Sequence, residues 1–162
     1  MHKKSIKKIK LGIGAVVLVF GILFLSSTFG TDKSNTVRAQ TLTIYKSPTC
    51  GCCANYVAYM KRAGYEVTSV DTDDMDAIKD TYKIPSNMES CHTTVINDGE
   101  YVVEGHIPFQ AIDKLMEEKP QLKAIMMPGM PAGSPGMPGL KQGLFEIYGL
   151  DENGDVSTYT QI

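Results

Sequence analysis

The sequence predicts a small α/β domain with the element order β-α-β-α-β-β-α, and three observations predict it. Two β-prone runs, Leu42–Lys46 and Tyr65–Val70, bracket a stretch of helical period. Asp98-Gly99 separates two further β-prone runs, which is a hairpin turn signal. Pro108, a natural helix opener, precedes an amphipathic stretch over 109–119.

Taken in order, Leu42–Lys46 alternates and is the first strand; Ser47-Pro48-Thr49 breaks it. Residues 50–63 follow as a helix, with Val57, Met60 and Ala63 at core spacing. Lys61-Arg62 stand in its last turn and Gly64 just beyond, the expected ending of a helix. After the strand at 65–70, Asp73 is positioned to cap a second helix over 74–82, stopped before Pro85. Thr93–Asn97 and Tyr101–Glu104 form the hairpin, and Phe109–Lys119 is the third helix, with Ile112, Leu115 and Met116 on one face. The β-α-β start favours a parallel pair and the hairpin adds an antiparallel one, which together make the thioredoxin-like arrangement. Past this core, Pro-Gly-Met-Pro occurs twice between Pro128 and Gly139, too rich in Pro and Gly for helix or central strand. Leu144–Tyr148 and Val156–Thr160, around Asn153-Gly154, read as a terminal hairpin.

The amino-terminal part has a different character. Lys3, Lys4, Lys7, Lys8 and Lys10 precede residues 11–31, which carry no charge. A basic start and an apolar run of about 20 residues is an export signal that is also long enough to span a bilayer. The lysines would stay in the cytoplasm and everything after Thr31 would lie outside. Two readings follow. Residues 1–31 are a signal anchor, giving a single-pass protein of the cell membrane with its domain extracytoplasmic, or a signal peptide removed to leave a periplasmic or secreted chain. Val37-Arg38-Ala39 is a poor cleavage site, which favours the anchor. Residues 32–40 form a polar linker, 41–140 the thioredoxin-like domain and 141–162 the hairpin extension. Residues 40–162 carry nine Lys/Arg against seventeen Asp/Glu. That acidic balance argues against nucleic acid as a partner, because phosphate contacts need clustered basic residues.

The chemistry concentrates in cysteine. Cys50-Gly51-Cys52-Cys53 stands where a strand feeds a helix, and the open N–H groups there favour thiolate, the form that binds metal or attacks disulfides. Cys50 and Cys53 have the spacing of a redox pair, one thiol to attack and one to resolve. Cys52 does not fit that plan, but it gives a soft metal an extra ligand. Cys91-His92 enters the third strand, on a loop the topology places beside the first helix, so Cys91 is a candidate fourth sulfur. His106 closes the fourth strand, and Met130 and Met137 lie on the Pro/Gly loop. Thiolate, thioether and imidazole together are what Cu(I) selects, whereas methionine contributes little to zinc. Three readings stay open on spacing: a metal site, a thiol–disulfide centre using Cys50 and Cys53, or two structural disulfides. Neighbouring Cys52 and Cys53 are hard to bridge to each other, which weakens the last. Met60, Met116, Met126 and Met127 read as packing.

These motifs carry a resemblance. Tyr45-Lys46-Ser47-Pro48-Thr49-Cys50-Gly51-Cys52-Cys53, Ser90-Cys91-His92-Thr93, Glu104-Gly105-His106-Ile107-Pro108 and the Pro-Gly-Met segments resemble, in the same order, the DUF411 family of exported copper-resistance proteins of the CopG type. The likeness covers about 42–140. It implies a thioredoxin-like fold, copper ions as cargo, and Cys50, Cys52, Cys53 and Cys91 as Cu(I) ligands in a multinuclear thiolate site. His92, His106, Met130 and Met137 stand as auxiliary ligands, and a copper exporter or other copper-handling protein as partner.

Overall fold

Residues 40–162 are described by a computed structural model; the expected signal segment and linker residues 32–39 lie outside them. Among the described residues no helix is long and apolar enough to cross a membrane.

Burial alternates along Thr41–Lys46 (β1), turning Leu42 and Ile44 into the core. Gly51–Arg62 (α1) follows; its inward face is Cys53, Tyr56 and Met60, while Val57 and Ala63 pack against its margin. Next come Glu66–Asp71 (β2) and Met75–Thr81 (α2). The α2 cap is Asp74 rather than the expected Asp73: its Oδ1 accepts from the Ala77 amide at 3.0 Å. His92–Ile96 (β3) and Tyr101–Glu104 (β4) form the hairpin, turning through Asn97, Asp98 and Gly99, all at positive φ. Phe109–Glu118 (α3) buries Ala111, Ile112 and Leu115.

The sequence reading assigns no element between this helix and the terminal hairpin, but the sheet continues there. Leu122–Met126 is a strand (β5) parallel to β4, and Glu146–Asp151 (β6) and Val156–Gln161 (β7) add antiparallel strands beyond it. Among the described residues the result is a mixed seven-stranded sheet, β2-β1-β3-β4-β5-β6-β7, with three α-helices. The terminal hairpin therefore prolongs the main sheet, through the β5 strand absent from the sequence reading.

Neighbouring residues on the central strands divide between two apolar clusters, as the period of two requires. Val103 and Ile125 join Leu42, Tyr56, Met60 and Leu115 in one; Val102, Ala124 and Met126 join Ile84 and Leu150 in the other. Two registers place the site. The end of β1 meets the start of β3 at Lys46 opposite His92, and Thr93 stands opposite Glu104. The carboxyl end of β1, the entry to β3 and the exit of β4 thus share one end of the sheet.

Candidate metal centre

That end of the sheet receives the amino terminus of α1. Cys50 is the helix cap, in extended conformation, with its sulfur accepting from the Cys53 amide at 3.3 Å. Cys50 and Cys53 are joined in a disulfide, Cα–Cα 5.3 Å, so Cys52 and Cys91 are the free cysteines. The Cys52 sulfur lies 3.5 Å from that of Cys50, and the Cys91 sulfur 3.5 Å from that of Cys53. The register explains the approach of Cys91: it immediately precedes the β3 residue that faces the last residue of β1.

Two overlapping donor groups result. Cys50, Cys52, Cys53 and Cys91 form the outer group, and Cys53, Cys91, His92 and His106 the more buried, inner group; within each, the ligand atoms all lie within 4.8 Å of one another. The sequence-predicted cysteines and both histidines are therefore together. Met130, on the loop, is 40% exposed, and Met137 is partly buried. Met126 and Met127 are buried in the core, as packing residues should be.

His106 is oriented from outside the donor groups. His106 Nδ1 donates to the Pro135 carbonyl at 2.7 Å, because a backbone carbonyl can only accept. In the neutral ring this leaves the Nε2 lone pair facing the Cys91 sulfur at 2.9 Å. A metal-binding imidazole is commonly fixed in this way, by a carbonyl on its other nitrogen. The Pro/Gly loop supplies that carbonyl and also lies against α1, where Asn55 Nδ2 donates to the Gly136 carbonyl at 3.4 Å. His92 Nδ1 is 3.5 Å from the Cys91 sulfur, while its Nε2 is buried without a hydrogen-bond partner.

Electrostatics favour the neutral forms of both histidines and of Cys91. Burial holds both histidines below their ordinary pKa, His92 well below, with His106 and Lys79 adding to the effect on His92. Burial first, and then the neighbouring Cys52, push the Cys91 thiol up to about 12. A soft cation binding here must displace that proton, so uptake releases protons and strengthens as pH rises.

Two features escaped the sequence reading. Tyr56 underlies the site: its ring lies 4.4 Å from that of His92 and 5.6 Å from that of His106, and its hydroxyl donates to the Ile107 carbonyl at 2.9 Å. Behind the site, fully buried Glu104 accepts from Lys79 Nζ, from the Ser90 amide at 2.6 Å and from Thr93 Oγ1 at 2.6 Å. The helical spacing of Tyr56 from Cys53 could have signalled the first; nothing local signals a pairing 25 residues apart.

The family described as "Protein of unknown function, DUF411" matches residues 88–137, which include Cys91, both site histidines and the Met loop. No curated protein matches the chain. Two solved structures do, "Copper resistance protein copG- Form 2" and "Form 1". The first is 35% identical, with a TM-score of 0.69, and the match covers 76% of this chain and 98% of that one. The second is 36% identical, with a TM-score of 0.68 and coverage of 75% and 96%. In sequence and in backbone alike, this chain belongs to the DUF411 family, of the CopG type.

Proposed function

We propose that this chain is an extracytoplasmic copper-binding protein of copper homeostasis, holding Cu(I) on the thiolates of Cys50, Cys52, Cys53 and Cys91. The observation that carries the reading is the packing of four cysteine sulfurs within 4.8 Å of one another at one helix terminus. A purely dithiol centre has no use for Cys52 and Cys91 there, whereas Cu(I) favours crowded thiolates. The copper-resistance names of both solved relatives support it. The strand order β2-β1-β3-β4 and the three helices support a thioredoxin-like core that presents the cluster. Cys53 and Cys91 belong to both donor groups, which supports more than one ion bridged by shared sulfurs. His92 and His106 complete the inner group, and Met130 and Met137 are auxiliary ligands on the loop. The Cys50–Cys53 disulfide must be reduced before all four sulfurs can bind. Residues 11–31 anchor the domain to the outer face of the cell membrane, where it exchanges copper with an exporter or another copper-handling protein; protease accessibility on intact cells tests that placement.

The test is an anaerobic titration of the reduced chain with Cu(I) against a competing chelator. The parent should take up copper stoichiometrically, and Cys52→Ser should bind fewer ions or bind them more weakly. Equal capacity and affinity in the two proteins would refute the four-thiolate site.

The disulfide favours a second reading, a thiol–disulfide or copper oxidoreductase with Cys50 as nucleophile and Cys53 as resolving thiol. Reduction of the pair consumes two electrons and two protons, which two Cu(I) ions, becoming Cu(II), and water can supply. Exchange activity that survives Cys53→Ser would exclude the dithiol mechanism.

A further inference from the structure

We infer that Glu104, paired with Lys79, is a positioning residue for the metal centre: it holds the Ser90–His92 segment so that Cys91 meets the α1 cysteines. The inference rests on the metal-binding reading above and deepens it.

The geometry starts from the sheet. Thr93 and Glu104 are direct cross-strand partners, and the Thr93 hydroxyl donates to Glu104 Oε2 at 2.6 Å. Glu104 Oε1 accepts from the Ser90 amide at 2.6 Å and from the Lys79 ammonium. Ser90 is the residue before Cys91, and Glu104 stands two residues before His106. One fully buried carboxylate therefore ties together the segments that carry three donors of the inner group. It accepts three hydrogen bonds, two of them from the Ser90–Thr93 stretch and one from Lys79 on α2.

The backbone around it leaves little slack. The Gly105 amide donates to the His92 carbonyl at 3.1 Å and the Met127 amide to the Glu104 carbonyl at 3.0 Å. A Cβ on Gly105 would fall 2.6 Å from the Met127 carbonyl oxygen and 2.8 Å from the Ser90 side chain. The Ser90 turn thus lies flat against the chain that leads to His106, and the carboxylate closes it from behind. Glu104 touches no candidate ligand atom; it acts through the position of Cys91. Outer partners that orient a ligand in this way commonly change metal affinity about 10- to 100-fold when removed.

Two double variants separate positioning from folding. Lys79→Met with Glu104→Leu replaces the buried ion pair by apolar groups, a change that folded cores tolerate, but it leaves the Ser90 amide without an acceptor. Lys79→Met with Glu104→Gln removes the same charges and keeps an amide oxygen for Ser90. Each full-length chain is examined metal-free by hydrogen exchange over 90–92, then reduced and titrated with Cu(I) against a chelator. The Leu variant should exchange faster over 90–92, lose copper affinity by about 10-fold or more, and show an altered thiolate-to-copper absorption band. The Gln variant should recover most of that affinity. A Leu variant with the parent's affinity and spectrum overturns the proposal, whether or not its exchange changes. So does a Gln variant that binds copper no better than the Leu variant, or, if the Leu variant fails to fold, as much as 10-fold more weakly than the parent. If the parent takes up no copper, the metal-binding reading fails and this one with it; if only the variants behave as the parent does, this one alone fails.

Discussion

Gly136→Ala isolates how strongly the Pro/Gly loop holds the metal centre. Gly136 has φ +86°, and a Cβ built there would lie 2.6 Å from the Cys52 carbonyl oxygen and 2.8 Å from the Tyr56 amide nitrogen. Both obstacles are backbone of α1, so neither can turn aside. Carbon–oxygen contacts ordinarily settle near 3.3 Å or beyond, so the loop must retreat by about 0.7 Å. The left-handed conformation itself costs an L-residue about 1–2 kcal/mol. Such a retreat would lengthen the 2.7 Å hydrogen bond from His106 to the adjacent Pro135 carbonyl to about 3.4 Å, beyond the usual N–H···O range and much weakened. Losing it, with the ring nitrogen buried, costs about another 1–2 kcal/mol. The expected destabilisation is about 2–4 kcal/mol, on the order of 10 °C in Tm for a unit of this size. Urea denaturation of the metal-free protein measures it, and 15N shifts of the His106 ring report whether Nδ1 keeps its proton. A change below about 0.5 kcal/mol, within the range of ordinary surface substitutions, with the His106 tautomer unchanged, would refute the argument that this loop clamps the histidine.

Other consequences follow from the same geometry. Lys79→Met alone strands the Glu104 carboxylate in the interior and should cost about 3–5 kcal/mol in urea denaturation; a loss below 1 kcal/mol would show that the pair is solvated. Tyr56→Phe leaves the Ile107 carbonyl without its donor and should cost about 1 kcal/mol, with no change in the number of copper ions bound per chain. Because burial holds His92 and His106 below their ordinary values, the metal-free fold has their full contribution above the unfolded pKa of about 6.5 and loses it as pH falls toward the folded values. Stability should therefore fall with a slope of up to about 1.4 kcal/mol per pH unit for each histidine, and a flat profile from pH 7 to pH 5 would contradict their burial as neutral rings. Cys91 acts in the opposite sense: with a folded value of about 12, its contribution is full below its ordinary thiol range and declines as pH rises through and above it.

The sequence revealed elements wherever a local pattern decided them, and failed where distant chain decided. Convergence of Cys91 on the α1 cysteines was legible because a strand returning antiparallel beside β1 must begin where β1 ends. The face of α1 was legible to within one residue: Val57 was expected inside, but Tyr56 takes that place, in line with Cys53 and Met60. The β5 strand was not legible. Leu-Lys-Ala-Ile-Met has modest β propensity, and it is held between β4 and β6, which lie in separate parts of the chain. The Lys79–Glu104 pair was invisible for a related reason, since a lysine on a helix and a glutamate closing a strand both read as solvated until the fold brings them together. Spacing alone also could not decide between thiolates and a disulfide at Cys50 and Cys53, because the same separation serves both.

The disulfide and the donor groups compete, and the competition can be measured. Cys53 belongs to both groups, and Cys50 to the outer one, so the bond between them removes two thiolates from the outer group and one from the inner. Copper that binds only the reduced state stabilises that state by RT ln(1 + [Cu]/Kd), about 4 kcal/mol when free copper is a thousand times Kd. For a two-electron couple this raises the midpoint potential of the Cys50–Cys53 pair by about 90 mV, since about 30 mV corresponds to about 1.4 kcal/mol. Redox titration in thiol–disulfide buffers, with and without chelator-buffered Cu(I), reads the shift directly. A potential that does not respond to copper would mean that the ion binds without these two sulfurs. A positive shift that grows by about 30 mV for each tenfold rise in free copper would mean that one ion enters for each disulfide opened, and a steeper dependence would count the additional ions of a multinuclear site.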